Sequence, residues 1–158
     1  MSRHLSIPLA AALAMLWSNV LADVPATMLT AAEIKWGDGP PTFPKGANLA
    51  VLYGDPGKAG ELFIVRLKMP ANYKIPAHWH PTDENITVIT GTFLMGMGDK
   101  LDPAKARAYA PGSFMVTPAK TNHFAIAKGE TVVEVAAIGP FAITYVNPSD
   151  DPSATLKK

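Results

Sequence analysis

The chain has 158 residues, a formal net charge of +1, no cysteine and four histidines; it is 48% hydrophobic and 17% charged. That length suits one domain, the apolar content is too high for a disordered chain, and no basic run offers itself to nucleic acid. The missing cysteines exclude a disulfide scaffold, a thiolate zinc site, an iron–sulfur cluster and a cysteine nucleophile, so any metal must be held by His, Asp or Glu.

In chain order, residues 1–22 read first, as a secretory signal peptide. Arg3 and His4 give a short basic start. Leu5 to Leu16 is almost wholly apolar, and Val20-Leu21-Ala22 supplies small residues at the cleavage positions. The apolar core is shorter than the ~20 residues of a spanning helix, so no stable membrane anchor is expected. Cleavage after Ala22, a Sec-type route and a periplasmic or secreted destination follow as expectations. Cleavage removes Arg3 and His4. Basic and acidic side chains are then equal in number, and three histidines remain: His78, His80 and His123.

The mature chain, residues 23–158, reads as a single domain. Asp23 to Lys45 is weakly patterned and carries Pro40, Pro41 and Pro44; it is expected to wrap the domain or reach a partner subunit. Short β-type runs follow between proline and glycine breakers. They are Leu49 to Tyr53, Leu62 to Met69, Tyr73 to Trp79, Ile86 to Thr90, Thr92 to Met97, Ala106 to Ala110, Phe114 to Thr117, His123 to Ala127, Thr131 to Ala137 and Phe141 to Val146. From Leu62 to Met69, Arg66 and Lys68 alternate with Val65, Leu67 and Met69, the period of a half-exposed strand. Asp102 followed by Pro103 predicts one short helical turn. The polar tail from Asn147 to Lys158 is expected to fray. Some ten short strands in a small all-β domain predict a sandwich or barrel, best fitted by a double-sheet jelly roll with its core at about 49–146.

The chemistry concentrates in Pro76-Ala77-His78-Trp79-His80-Pro81-Thr82-Asp83-Glu84. On a strand, residues two apart face the same way, so both imidazoles can converge on one ion. Pro81-Thr82-Asp83 predicts a turn, and an antiparallel return brings Glu84 beside the pair as a hard oxygen ligand. His123 comes from a separate, later strand.

These residues resemble the motifs of the cupins. The first motif is a glycine, five residues, HxH, three or four residues, Glu, six residues and glycine. This chain matches it with His78, His80, Glu84 and Gly91, and has Asn72 at the opening glycine. In the second motif Gly112, Pro118 and His123 match, while Lys120 stands for a glycine and Ala127 for an asparagine. Asparagine tolerates the left-handed backbone a glycine would adopt there. The likeness spans about Leu49 to Val146 and extends to small secreted bacterial cupins.

The resemblance implies a jelly-roll barrel holding one divalent transition metal ion (Fe, Mn, Ni, Cu or Zn) on His78, His80, Glu84 and His123. It implies coordination positions left open for a small-molecule ligand or substrate, as in catalytic sites. Capture of the metal after export would favour Cu or Zn by affinity order. It also implies a homodimer. The leading functional expectation is a periplasmic, metal-dependent oxidoreductase, dioxygenase-like, acting on a small organic molecule. A non-catalytic metal or small-ligand binding or sensor cupin, and a metal-dependent lyase or isomerase, are the alternatives. Tyr73, Tyr109 and Tyr145 are candidate acid–base phenols. Met95 and Met97 share a strand face and are candidates for the substrate wall. Trp79, between the histidines, is expected to point away from the ion, and Asp83 and Lys120 are candidates to support the ligands from outside.

Overall fold

The computed structural model describes residues 26–157, with side chains to residue 154. The signal-peptide reading of residues 1–22 lies outside them. Among the described residues, no helix is long and apolar enough to cross a membrane.

The strands, in chain order, are β1 (Gly37–Asp38), β2 (Asn48–Tyr53), β3 (Leu62–Met69), β4 (Lys74–Trp79), β5 (Glu84–Thr90), β6 (Phe93–Met97), β7 (Arg107–Tyr109), β8 (Phe114–Thr117), β9 (His123–Ala127), β10 (Thr131–Ile138) and β11 (Thr144–Tyr145). They form a six-stranded sheet, β1-β2-β3-β10-β5-β8, and a five-stranded sheet, β11-β4-β9-β6-β7. Every recorded strand pairing is antiparallel. This is the expected double-sheet jelly roll, held as two ladders face to face.

The two-residue period decides what each sheet turns inward. In β3, Phe63, Val65, Leu67 and Met69 are buried, and Ile64, Arg66 and Lys68 are only partly so. Val133, Val135 and Ala137 do the same in β10, which pairs with β3 along its whole length from Thr131↔Met69 to Ile138↔Leu62. On the outer face the register sets Glu134 opposite Arg66, where their side chains pair at 2.9 Å. From the other sheet, Ile75, Phe93, Met95, Ala125 and Ala127 close the core.

Several turns follow their sequence signals. Asp102 caps the 3-10 turn Pro103–Lys105, accepting from the Ala104 amide. Asn72 takes a left-handed φ of 62°, as its place at a motif glycine suggested. Lys120, at the other departure, is also left-handed at φ 58°. Gly91 needs its hydrogen: at φ 80°, a Cβ would lie 2.3 Å from the Glu130 carbonyl oxygen.

Two terminal regions differ from expectation. The Phe141 to Val146 run is a strand only at Thr144–Tyr145, because residues 139–143 form a loop that returns to the site. The tail does not fray over its described length. Asn147 caps a 3-10 turn at Pro148–Asp150, a second follows at Pro152–Lys157, and Ser153 is buried. The proline segment does wrap the domain, with Phe43 buried in the core.

Candidate metal centre

His78 and His80 come from the end of β4 and the residue just beyond it; Glu84 opens β5 and His123 opens β9. Strand pairing brings His78 opposite His123 across β4–β9, with ring centroids 4.2 Å apart. Exposures of 2–6% show all four side chains closed off from bulk water. The ligating nitrogens of His78, His80 and His123 lie within 4.8 Å of one another. Glu84 Oε2 is 3.6 Å from Nε2 of both His80 and His123. Glu84 is a carboxylate buried among imidazoles.

The hydrogen bonds fix how the rings can act. His78 Nδ1 faces the Pro76 carbonyl at 2.7 Å, His80 Nδ1 faces Ala142 at 2.8 Å, and His123 Nδ1 faces Thr121 at 2.9 Å. A carbonyl oxygen only accepts, so each Nδ1 carries a proton and donates it, which leaves Nε2 as the nitrogen that can face an ion. Backbone carbonyls orienting imidazoles in this way are the usual outer support of metal ligands. At 3.6 Å the carboxylate and the Nε2 atoms are too far apart to hydrogen-bond. Two atoms each about 2.1 Å from one ion would lie roughly 3.0–3.5 Å apart. The donor set therefore fits a divalent transition metal: three converging lone pairs and one carboxylate oxygen.

Electrostatics agree. Burial first, and then the charges of His123 and His80, push the His78 imidazole down to about 3, so it stays neutral. For Glu84, burial works to raise the carboxyl, and the surrounding His80, His123 and His78 more than offset it. It is held below its ordinary value and stays ionised.

These four side chains line an otherwise apolar cavity of about 30 Å³, together with Val65, Leu67, Ile86, Met95, Val135, Phe43 and Phe141. That volume is on the scale of one or two water molecules. Phe141 stacks on the His80 ring, 5.3 Å between centroids and 16° from parallel. No lysine or arginine lines the cavity.

The other sequence candidates separate. Met95 lines the cavity, whereas Met97 is 52% exposed and lines a different surface groove with Gly98 to Asp102. None of the three tyrosines is part of the cavity wall. Tyr73 donates its hydroxyl to the Pro44 carbonyl, and Tyr145 donates to Thr42 at 2.8 Å. Burial pushes both phenols well above their ordinary value, so they serve as neutral donors. Tyr109 lies on β7 under the Arg107 guanidinium. Trp79 is half-buried and outside the cavity wall, as expected. Asp83 supports the site by its side chain and Lys120 by its backbone. Asp83 accepts from the Ala119 amide at 2.7 Å, and the Lys120 amide donates to the His80 carbonyl at 2.8 Å. These two bonds tie the turn before His123 to the turn after His80.

Three residues escaped the sequence reading. Phe43 sits in a proline segment without strand periodicity, and Phe141 reads as the start of a strand, so nothing local marks either as a cavity residue. Thr117 is the register partner of Glu84, 2% exposed, and its hydroxyl is the buried side-chain polar atom without a partner among the described residues. An orphan hydroxyl across from a buried carboxylate is one more polar group awaiting a bound species.

A family model described as "Domain of unknown function (DUF4437)" matches residues 19–144. No curated protein matches the chain. Among solved structures, it resembles a putative acetylacetone dioxygenase from Methylibium petroleiphilum PM1, with 16% identity, 83% of this chain and 88% of that one covered, and a TM-score of 0.62. The polyketide cyclase RemF from Streptomyces resistomycificus has 17% identity, coverage of 85% and 94%, and a TM-score of 0.61. An RmlC-like cupin from Shewanella frigidimarina has 13% identity, coverage of 72% and 91%, and a TM-score of 0.56. At these identities the likeness is one of fold. The chain belongs to the DUF4437 family, and its two-sheet jelly roll is the fold seen in the cupins.

Proposed function

We propose that this protein is an exported cupin that binds one divalent transition metal (Fe, Mn, Ni, Cu or Zn) through His78, His80, Glu84 and His123. On this reading it acts as a metal-dependent, dioxygenase-like oxidoreductase on a small organic molecule. The observation that carries it is the set of three Nδ1–carbonyl bonds, which turn three Nε2 lone pairs toward one buried carboxylate. A bound metal would act as Lewis acid and template for a chelating oxygen pair and, if redox-active, could engage dioxygen.

The residues of the chain do the rest. Backbone carbonyls hold the Nδ1 protons of His78, His80 and His123, which leaves Nε2 of each ring to face the ion. Glu84 supplies one negative charge beside three imidazoles. The apolar wall excludes water and gives a ligand's carbon skeleton its contact surface. The absence of Lys and Arg from that wall disfavours a substrate carrying a free carboxylate or phosphate beyond its chelating atoms. A small, neutral or enolisable oxygen chelator suits it best. The putative acetylacetone dioxygenase and the polyketide cyclase among similar structures are consistent with oxygen-rich small molecules as the ligand class.

The second reading, a non-catalytic metal or small-ligand binder or sensor, draws support from the closed cavity. A lyase or isomerase using a tyrosine base draws none, since the Tyr73 and Tyr145 hydroxyls are committed to backbone carbonyls. The test is elemental analysis of protein from its natural compartment, beside a His80→Ala variant, followed by oxygen uptake with small diketones and catechols. We expect one ion per chain, lost in the variant, and uptake that requires the ion. Wild type free of metal overturns the site. A full complement of zinc with no turnover favours the binding protein.

A further inference from the structure

The metal ligands are 2–6% exposed, so a ligand reaches them only if part of the wall moves. Phe43 and Phe141 are the two wall residues carried by segments outside the large ladders. They are held very differently. The Phe141 amide donates to Pro56 at 2.7 Å, the Gly139 amide donates to Glu61 at 2.8 Å, and the Ala142 carbonyl accepts from His80. Swinging Phe141 out would break the bond that orients a ligand.

Phe43 lies in the segment 39–46. Its three prolines lack an amide donor, so they cannot join a ladder, and their rings stiffen the segment. A glycine stands at each end: Gly39, whose amide donates to Ala47 at 2.9 Å, and Gly46, at φ 108°. Between them a local turn joins the Phe43 amide to Pro40, and two phenols, Tyr73 and Tyr145, hold the Pro44 and Thr42 carbonyls. Outside the segment lies a groove of about 460 Å³ walled by Asp38, Pro41, Lys45, Asn48 and Pro152, and Phe43 belongs to that wall as well. Phe43 thus lines both the cavity of about 30 Å³ and a surface groove of about 460 Å³, large enough for an organic molecule.

We propose that segment 39–46 is a hinged strap and that Phe43 is the gate between a surface vestibule and the His–Glu cavity. The strap pivots at its glycines when the two phenol hydrogen bonds open, and the Phe43 ring moves into the vestibule. Ligand and metal traffic then passes without disturbing the Phe141 loop. The inference rests on reading the cluster as the binding centre, and its test has an arm that needs no metal.

In the metal-free arm, diethyl pyrocarbonate acylates the free Nε2 of each histidine, and peptide mass spectrometry reads the rate at His78, His80 and His123. Phe43→Ala should raise that rate at least about tenfold, and Phe43→Trp should lower it. In the metal arm, Zn2+ uptake and its release to a chromogenic chelator are followed by stopped flow. Phe43→Ala should speed both alike and leave the equilibrium Kd unchanged, which a residue that merely supports the fold would not do. The double variant Tyr73→Phe/Tyr145→Phe leaves the cavity wall intact, so it serves if Phe43→Ala does not fold, and it should move both rates in the same direction. Unchanged acylation in these variants overturns the gate, as does faster acylation in Phe141→Ala alone. A wild type that binds no Zn2+ yet shows gated acylation overturns the metal reading and leaves the gate standing.

Discussion

Two phenylalanines cap one cavity, and the way each is carried separates organising a site from opening it. Phe141 lies flat on His80 in a loop whose Ala142 carbonyl orients that same ring. Phe43 belongs to a proline strap fastened chiefly by two tyrosine hydroxyls. One ring is buried and the other only partly so, and the backbone hydrogen bonds beneath them differ as much as their exposure does.

The largest effect that would sharpen this contrast is on stability. Phe43→Ala empties a buried ring position and should cost about 3–5 kcal/mol in denaturant unfolding. Metal affinity, read by calorimetry, should stay at the wild-type value. Phe141→Ala should do the reverse in emphasis. Losing the stacked support of His80 should weaken metal binding about 10–100-fold, and equal affinities in the two variants would break the comparison.

The fastening itself is the next target. Tyr145→Phe removes one hydrogen bond and should lower stability by about 1 kcal/mol. Both strap phenols lie above their ordinary value in the folded protein, so folding favours their neutral form. Their contribution is complete below the unfolded value near pH 10 and is lost as pH rises from there toward the folded value. Unfolding free energies followed between about pH 9 and 11 should fall in wild type. The fall should be shallower in the double Tyr→Phe variant.

The smallest effects concern the ligand turn. Lys120→Gly relieves a left-handed backbone at φ 58° and should stabilise the protein by about 0.5–1 kcal/mol. Because the Lys120 amide still donates to His80, metal affinity should not change. Thr117→Val, which removes an unsatisfied hydroxyl, should be neutral or slightly stabilising without metal. A loss of affinity in that variant would show that the hydroxyl contacts what Glu84 holds.

Much of the site was legible in one stretch of chain because strand geometry is periodic. His78 and His80 fall on one face by residue spacing, and the turn at 81–83 returns Glu84 to them. His123 was legible by its motif, although its partner across the ladder was not. Asn72 was readable as left-handed because its side chain tolerates that region. The tyrosines and Met97 could not be sorted from sequence, since a phenol's role depends on which distant carbonyl it meets. Tyr145 meets Thr42, 103 residues away.

By itself the sequence determined the succession of strands along the chain, the inward faces and the identity of the candidate metal-binding side chains. Each depends on spacing between near neighbours: a two-residue period, a turn, a HxH pair. The tertiary structure alone decided which nitrogen of each histidine faces the cluster, how small the cavity is, and which rings line it. Those depend on carbonyls, walls and loops brought together from opposite ends of the chain, where local periodicity carries no information.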